Sequence, residues 1–563
     1  MRKEVLIVIG LLVLTIPAVR ALFIPGGFTS HDLTHHVVRQ ISMDRLLSEG
    51  QFPPRWSGDL NNGYGYPLFL FNYPLPSMVG ELFHLVGLGY VDSVKAVLFT
   101  SMVISVLGMY LFLRSLLGSS LSAFLGAVFY LYAPIRFLNV YVSAAVGSAL
   151  ALGILPFVFW SLLETSKARA DALKNGKKWA PLVGGVGFAG LILAHNVTAL
   201  IFTPVILIFL VVCSRLHSNN NLKIYYSRLA AMFLLGLGLS AWFWMPALFE
   251  KQYTIFDQIY SNFYKDQFVT LWQLIRSPWG YGLSHPQRPE SGDMSYQIGL
   301  IHIGVMLVLS SWFVVRGWKK KEGWIGVFTL ATFTTSIFLM LKISQPIWES
   351  LPFLSLIQFP LRFQAWSVFS ASIAAALLVK YLPLRKMVFV ILLGLVIYAN
   401  RNHWNINQVY DLGEDYYLNL KTTSTSFGEH LPKWGRVVLR PASRGEQAQG
   451  KLEFVEGPGE VRVVRDKSAH VLAEVEASTA GQVRLNQFYF PGWEIKVDGK
   501  KANLNYLSDG ESYGMPVFDI DSGKHIVRAE FKSTPIRNLG DGISIITVII
   551  VILYLCKLLP RIL

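Results

Sequence analysis

Apolar residues in this chain come in long runs rather than in alternation. Runs of roughly the 17 to 25 residues that a helix needs to cross a bilayer fall at 4–24, 94–115, 119–135, 145–163, 180–195, 197–215, 228–248, 298–316, 323–341, 363–381, 386–400 and 542–559. The pattern predicts twelve spanning helices. One further apolar stretch, Tyr66–Gly89, carries Pro67, Pro74 and Pro76. Proline lacks the amide donor that a lipid-buried helix must satisfy internally, so the later part of this stretch reads as a helix lying in the interface. Beyond residue 401 the period becomes twofold. GRVVLR, KLEFVE, EVRVVR, HVLAEVEA and HIVRAEF read as half-buried strands, with turns at GPGE, VDGK and SDGE. The expected fold is an α-helical polytopic membrane protein. A helical domain over 1–400 has its first outer loop at 26–94, a β-sandwich-type domain follows over 401–540, and an anchoring helix occupies 541–563.

Composition agrees with a lipid environment. Of 563 residues, 53% are hydrophobic and 15% charged, against about a quarter charged in soluble domains. With the N-terminus in the cytoplasm, alternate connections collect the cations. These are Arg114; Lys167, Arg169, Lys174, Lys177 and Lys178; Arg215, Lys223 and Arg228; Arg316, Lys319, Lys320 and Lys321; Lys380, Arg385 and Lys386; and Lys557 with Arg561. Basic short cytoplasmic loops are the positive-inside pattern. That pattern explains the net charge of +15 without nucleic acid, and it puts both termini of a multi-pass plasma-membrane protein in the cytoplasm and 401–540 outside. The first run, Val5–Ile24, has no clear small-x-small cleavage site and reads as a retained anchor. Cys213 and Cys556 both sit in apolar runs, which excludes a disulfide framework and a cysteine zinc site.

The outer side receives the polar groups that are not cytoplasmic cations. In SHDLTHH, after the first run, Thr29 or Ser30 can cap a helix that Gly50, Pro53 and Pro54 end. Leu33, Val37 and Ile41 form one apolar stripe, while Asp32 and His36, and His31 and His35, are each one turn apart. Three readings stand. Asp32 can complete a Thr29-x-x-Asp32 capping box. His31, His35 and Asp32 can hold a divalent cation such as Mg or Mn, although no His-Glu-x-x-His motif is present. Asp32 can also be a general base at the lipid–water boundary. Other outer loops add Arg136, His195 with Asn196, Glu250, His285 with Arg288 and Asp293, and Gln358 with Arg362. Singly, each fits an interfacial or capping group. Their shared side is what suggests a site. Asn196-Val-Thr198 matches a glycosylation acceptor but lies too near the bilayer.

An acid in the first outer loop, followed by a proline-rich aromatic interfacial helix, resembles the GT-C glycosyltransferases, which use polyprenyl-phosphate sugars. More closely, the chain resembles the YfhO-like membrane proteins labelled 6-pyruvoyl-tetrahydropterin synthase-related. The likeness is carried by SHDLTHH (30–36), FLFNYPLP (69–76), LYAPIRFLNVYV (131–142), LAHNVTAL (193–200), WFWMPALFE (242–250), SPWGYG (277–282), IQFPLRF (357–363), TSTSFGEHLPKW (423–434) and QFYFPGWEIKVDG (487–499). The label does not imply pterin chemistry, because a pterin synthase is a small soluble enzyme with a histidine-bound zinc.

The resemblance implies sugar transfer from a polyprenyl-phosphate donor to a glycan, lipid or protein acceptor on the outer face. Asp32 corresponds to the family's base and implies an inverting reaction. Arg362, then Arg136 and Arg55, are the candidates for the donor phosphate. His31, His35, His36, His195, Glu250 and Gln358 are candidates to orient the base or bind substrate. Members of the group carry an Arg-Gly pair and then a Glu after the position of Tyr141. This chain has Ser143-Ala144 and Ser148, which removes a phosphate or sugar contact and bears on substrate choice or activity. The rival functions are a non-catalytic scaffold and a lipid or polysaccharide transporter. A transporter would place charges near the middle of its spans, whereas these spans are nearly charge-free.

Overall fold

The computed structural model describes residues 2–167, 179–216, 222–316, 323–421, 425, 427–435, 450–507 and 512–558. Arg169, Lys174, Lys177, Lys178, Lys319, Lys320, Lys321 and Arg561 lie outside the described residues, as do the strand expected at GRVVLR beyond Gly435, the SDGE turn, residues 423, 424 and 426 of TSTSFGEHLPKW, and the side chains of Arg316 and Lys557.

Fifteen helices of nine residues or more are present among the described residues: α1 Arg2–Val19, α2 Leu33–Ser48, α3 Leu75–Leu85, α4 Tyr90–Leu117, α5 Ser120–Leu131, α6 Val146–Lys167, α7 Ala180–Ala194, α8 Asn196–Leu216, α9 Leu222–Leu239, α10 Ala241–Phe249, α11 Leu300–Arg316, α12 Gly323–Met340, α13 Gln364–Tyr381, α14 Arg385–Asn400 and α15 Pro535–Leu558. Every one of the twelve apolar runs holds a helix, but they are not twelve equal spans. Among the described residues, seven helices are long and apolar enough to cross a membrane, or nine if two bent pairs each count as one. Both pairs bend within a single apolar run, at Tyr132–Ala133 and at Ser240. α5 and Pro134–Val142 meet at 49°, and Tyr225–Leu239 and α10 at 71°. The outer connection that carries Arg136 is thus largely helical rather than a loop, and it includes a π-helical segment at Leu138–Val142. α7, with 15 residues, rises about 22 Å, short of a hydrocarbon core of about 30 Å.

Small side chains decide which helix is central. Every residue of α13 from Gln364 to Val379 is buried, and its Ala and Ser positions let neighbours approach closely. At Gly126 of α5, an added Cβ would lie 2.7 Å from the Ser372 carbonyl and 3.0 Å from the Ala376 Cβ. The central helix thereby fixes the Pro360–Phe363 turn at its head.

α3 does not cross. It has 11 residues, starts at Pro74–Pro76, exposes Leu82 and Leu85, and buries Glu81 against Gln40 of α2 (Nε2 to Oε2, 2.8 Å). α2 lies beside it and buries Leu33 and Val37 completely.

The C-terminal part is a β-sheet domain with a final apolar helix. After the short strands β1 Gly27–Phe28 and β2 Val409–Tyr410, it comprises β3 Leu452–Glu456, β4 Gly459–Lys467, β5 His470–Ala477, β6 Gly481–Leu485, β7 Trp493–Val497, β8 Lys500–Lys501, β9 Val517–Ile520 and β10 Gly523–Phe531. They form a five-stranded sheet ordered β4-β5-β10-β7-β8 and a three-stranded sheet ordered β3-β6-β9, all antiparallel. KLEFVE, EVRVVR, HVLAEVEA and HIVRAEF fall on β3, β4, β5 and β10. VDGK is a two-residue hairpin turn with Asp498 and Gly499 at φ 50° and 81°, the left-handed pair such a turn requires. The sheets are sewn to the first loop. Trp56 Nε1 donates to Gln487 Oε1 (2.8 Å), Gln487 Nε2 donates to the Gly58 and Gly63 carbonyls, and Gly27–Phe28 pairs with Val409–Tyr410.

Candidate active site

Asp32 is the N-cap of α2, yet its side chain makes no capping bond. Ser30 Oγ does that, accepting from the Leu33 amide at 3.2 Å. The capping-box reading therefore fails, and the carboxylate is left for other partners. Its backbone is held from the opposite side. The His31 and Asp32 amides donate to the Val142 and Ser143 carbonyls at 3.1 and 3.0 Å. Those carbonyls sit at the end of the π-helical segment, an irregularity that recurs at functional sites. Ala144 next to it adopts φ 48°, the left-handed region that glycine enters without strain.

Along α2, Asp32, His36 and Arg39 follow at i, i+4 and i+7 and share a face. The Tyr73 ring lies against that face, 6.5 Å from His36 and 5.9 Å from the Arg39 guanidinium carbon, whose group hydrogen-bonds the Tyr73 hydroxyl. On its other side His195 meets it edge-on at 5.1 Å. Arg362, on the turn heading α13, is steadied by the Ile357 carbonyl (2.8 Å) and by the Phe359 ring, 5.2 Å away. Asp32 and Arg362 act electrostatically on one another, and both act on Tyr73 and Tyr260. Glu429 and His430 complete the group. The Glu429 charge acts on His35 and Tyr260, and its Oε2 is buried with no hydrogen-bond partner among the described residues.

His36, His195, Tyr260 and His430 are buried within this group, and their titration registers that. Burial pushes His36 and His195 well below the usual histidine range, with nearby Arg39 adding to it in both. Burial and then Arg39 also lower His35, and burial takes His430 down to about 4. Burial raises Tyr73 and Tyr260. His195 is held as one tautomer. Its Nδ1 accepts from the Thr198 amide at 3.1 Å, so in the neutral ring the proton sits on Nε2.

Other residues singled out from the sequence are placed elsewhere. Arg136 is wholly buried between α4 and α6, donating to the Ser101 and Ala149 carbonyls at 3.3 Å each. Arg55 pairs with Asp541 (2.6 Å), and Glu250 pairs with Arg537 (2.8 Å). His31 Nε2 donates to the Gly282 carbonyl at 2.8 Å, pinning the loop that contains SPWGYG beside Asp32. Gln358, at φ 63°, shapes the turn before Arg362. The ligand atoms of His31, His35 and Asp32 do not gather as a metal site needs. Among the described residues, the three-residue group that does so, within 4.8 Å, is the more exposed His285, Glu290 and Asp293. Arg39, Tyr73, Tyr260, Glu429 and His430 carried no separate signal in the sequence. Arg39 was legible in principle, one heptad after Asp32.

Comparison with known proteins gives remote structural likenesses. The mycobacterial arabinofuranosyltransferase AftD aligns at 16% identity and TM-score 0.44, covering 71% of this chain and 26% of that one. ArnT from Cupriavidus metallidurans, bound to undecaprenyl phosphate, aligns at 14% and 0.39, covering 68% and 60%. The Archaeoglobus fulgidus oligosaccharyltransferase aligns at 13% and 0.42, covering 73% and 59%. An uncharacterized protein of Lactococcus lactis subsp. cremoris (strain MG1363) is 26% identical over 251 residues, which are 43% of this chain and 39% of the relative's length. The model of the 6-pyruvoyl-tetrahydropterin synthase related domain, a membrane protein family, matches residues 73–406, which take in Tyr73, His195, Tyr260 and Arg362, and the chain belongs to that family.

Proposed function

We propose that this protein is a GT-C-type membrane glycosyltransferase. It moves a sugar from a polyprenyl-phosphate donor to a glycan, lipid or protein acceptor at the extracytoplasmic boundary, with inversion at the anomeric carbon. The observation that carries the reading is convergence: Asp32, Arg39, Tyr73, His195 and Arg362 come from distant parts of the chain and gather around the Tyr73 ring.

The Asp32 carboxylate takes the acceptor hydroxyl proton as that oxygen bonds to the anomeric carbon. General-base help of this kind contributes about 10² to 10⁴ in rate. The bond from the anomeric carbon to the phosphate oxygen breaks, and the electron pair leaves with the lipid phosphate. Arg362 and Arg39 stand ready for the charge that grows there, since planar guanidinium forks match phosphate oxygens. His36 and His195, neutral in this group, donate or accept hydrogen bonds to sugar hydroxyls without adding a cation. Ser143 holds Asp32 through its backbone carbonyl, a contact that does not depend on the side chain at that position.

The test is Asp32→Asn in the full-length protein, assayed with a lipid-phosphate sugar and membrane acceptors. Turnover should fall about 10²-fold or more, while the thermal midpoint stays near that of the wild type. Retained turnover would remove Asp32 as the base.

A further inference from the structure

A second basic site lies apart from Asp32. Between the loop that follows α2, the ends of β4, β5 and β10 in the five-stranded sheet and the first turn of α15 there is a cavity of about 370 Å³. Four cations line it, Arg55, Lys467, Lys532 and Arg537, against a single acid, Glu49. The carboxylates that balance Arg55 and Arg537, Asp541 and Glu250, are not among its walls. Lys532 leans on Glu494 and Glu530, which also lie outside the lining. Glu49 is itself occupied, by Arg45 at 3.0 Å and by the Ser468 amide at 2.7 Å. Lys467 reaches the Glu49 backbone carbonyl at 2.8 Å and has no carboxylate within ion-pair distance among the described residues.

One donor here is unused: Arg55 Nε is buried with no hydrogen-bond partner among the described residues, and Arg55 as a whole is only 8% exposed. Burying such a donor unpaired is unfavourable. The depth of the cavity is set by α15, whose Pro535–Cys556 segment is long and apolar enough to cross a membrane. The cavity therefore sits at the first turn of a lipid-crossing helix, where headgroups lie. Phe52, 77% exposed, stands at its wall.

We propose that this cavity binds a phosphate group, supplied by an anionic lipid headgroup or by free phosphate. It is independent of the transferase reading, because Arg55 and Arg537 pair with Asp541 and Glu250 rather than with Asp32. Multiple cations around a concave wall supply charge-assisted donors, which are the strong ones for phosphate.

The experiment uses the full-length protein with Lys467→Ala, Lys467→Arg and Asp32→Asn, each followed by thermal midpoint. Nanodiscs of phosphatidylcholine are compared with nanodiscs containing phosphatidylglycerol, and inorganic phosphate is titrated into protein in detergent. A rise with phosphatidylglycerol alone assigns the headgroup, and a rise with inorganic phosphate assigns the free anion. Lys467→Ala should bind either about tenfold more weakly, the loss of one charge-assisted hydrogen bond. Lys467→Arg and Asp32→Asn should respond as the wild type does. No response to either probe, or an equal response in Lys467→Ala, overturns the site.

Discussion

Arg136 holds a full charge at zero exposure, with no carboxylate beside it among the described residues. Two carbonyls from different helices and the Tyr130 ring, 5.5 Å from its guanidinium carbon, share the burden. A planar fork can address two carbonyls at once, but a lysine ammonium cannot span the same gap. Arg136→Lys should therefore lower stability by about 1–3 kcal/mol, the penalty for a buried polar group short of partners, and leave donor affinity unchanged. Thermal unfolding together with donor-binding titration checks this. A loss of donor affinity at unchanged stability would return Arg136 to the donor site. The case shows why residue roles were only partly legible. Arg136, Glu250 and Arg362 each stand at the edge of an apolar run, so the sequence treats them alike. Which distant residue faces each is a tertiary fact. Arg362 faces Asp32, whereas Glu250 faces Arg537 nearly 300 positions away in the chain.

Elements were more legible than contacts, because periodicity reports burial directly. The long runs, the proline-started helix at Leu75–Leu85 and the strands β3, β4, β5 and β10 all follow from spacing. β6, β7 and β9 were not read as strands, being short and set among Gly, Pro and aromatic positions. Bends were also missed, since hydropathy averages across a break such as Tyr132–Ala133 or Ser240. What joins the elements is charge inside the structure. Glu250, closing α10, meets Arg537 of α15, the two being 2% and 0% exposed. Removing one partner of a buried pair leaves the other charge uncompensated, at about 3–5 kcal/mol. Glu250→Ala should thus destabilise the packing of α15 by that order. Glu250→Ala with Arg537→Leu should recover much of the loss, because an apolar pair needs no compensation. Thermal unfolding of the two single variants and the double one measures the coupling, and strictly additive losses would contradict it.

At the scale of the molecule, buried neutral histidines set the response to acid. His36 and His195 lie in the candidate site, and His430 is stacked on Phe71 at 5.1 Å. His403 is stacked on Trp279 at 4.1 Å. Burial lowers all four, His430 and His403 to about 4 from 6.5. A folded value below the unfolded one means that the unfolded chain binds more protons between them. Stability is then full above about pH 6.5 and falls as pH drops towards 4. Each of the last two histidines contributes on the order of 3 kcal/mol across that window. The net charge of +15 grows on acidification and pushes the same way through self-repulsion. Salt separates the two effects, since it screens exposed repulsion but reaches buried groups much less. Unfolding midpoints of the detergent-solubilised protein, taken between about pH 7 and pH 4.5 at low and high salt, should keep a steep acid slope at high salt. His430→Phe, which retains the stacking and removes the titrating nitrogens, should flatten part of that slope. A slope abolished by salt in the wild type would instead place the acid sensitivity in surface charge.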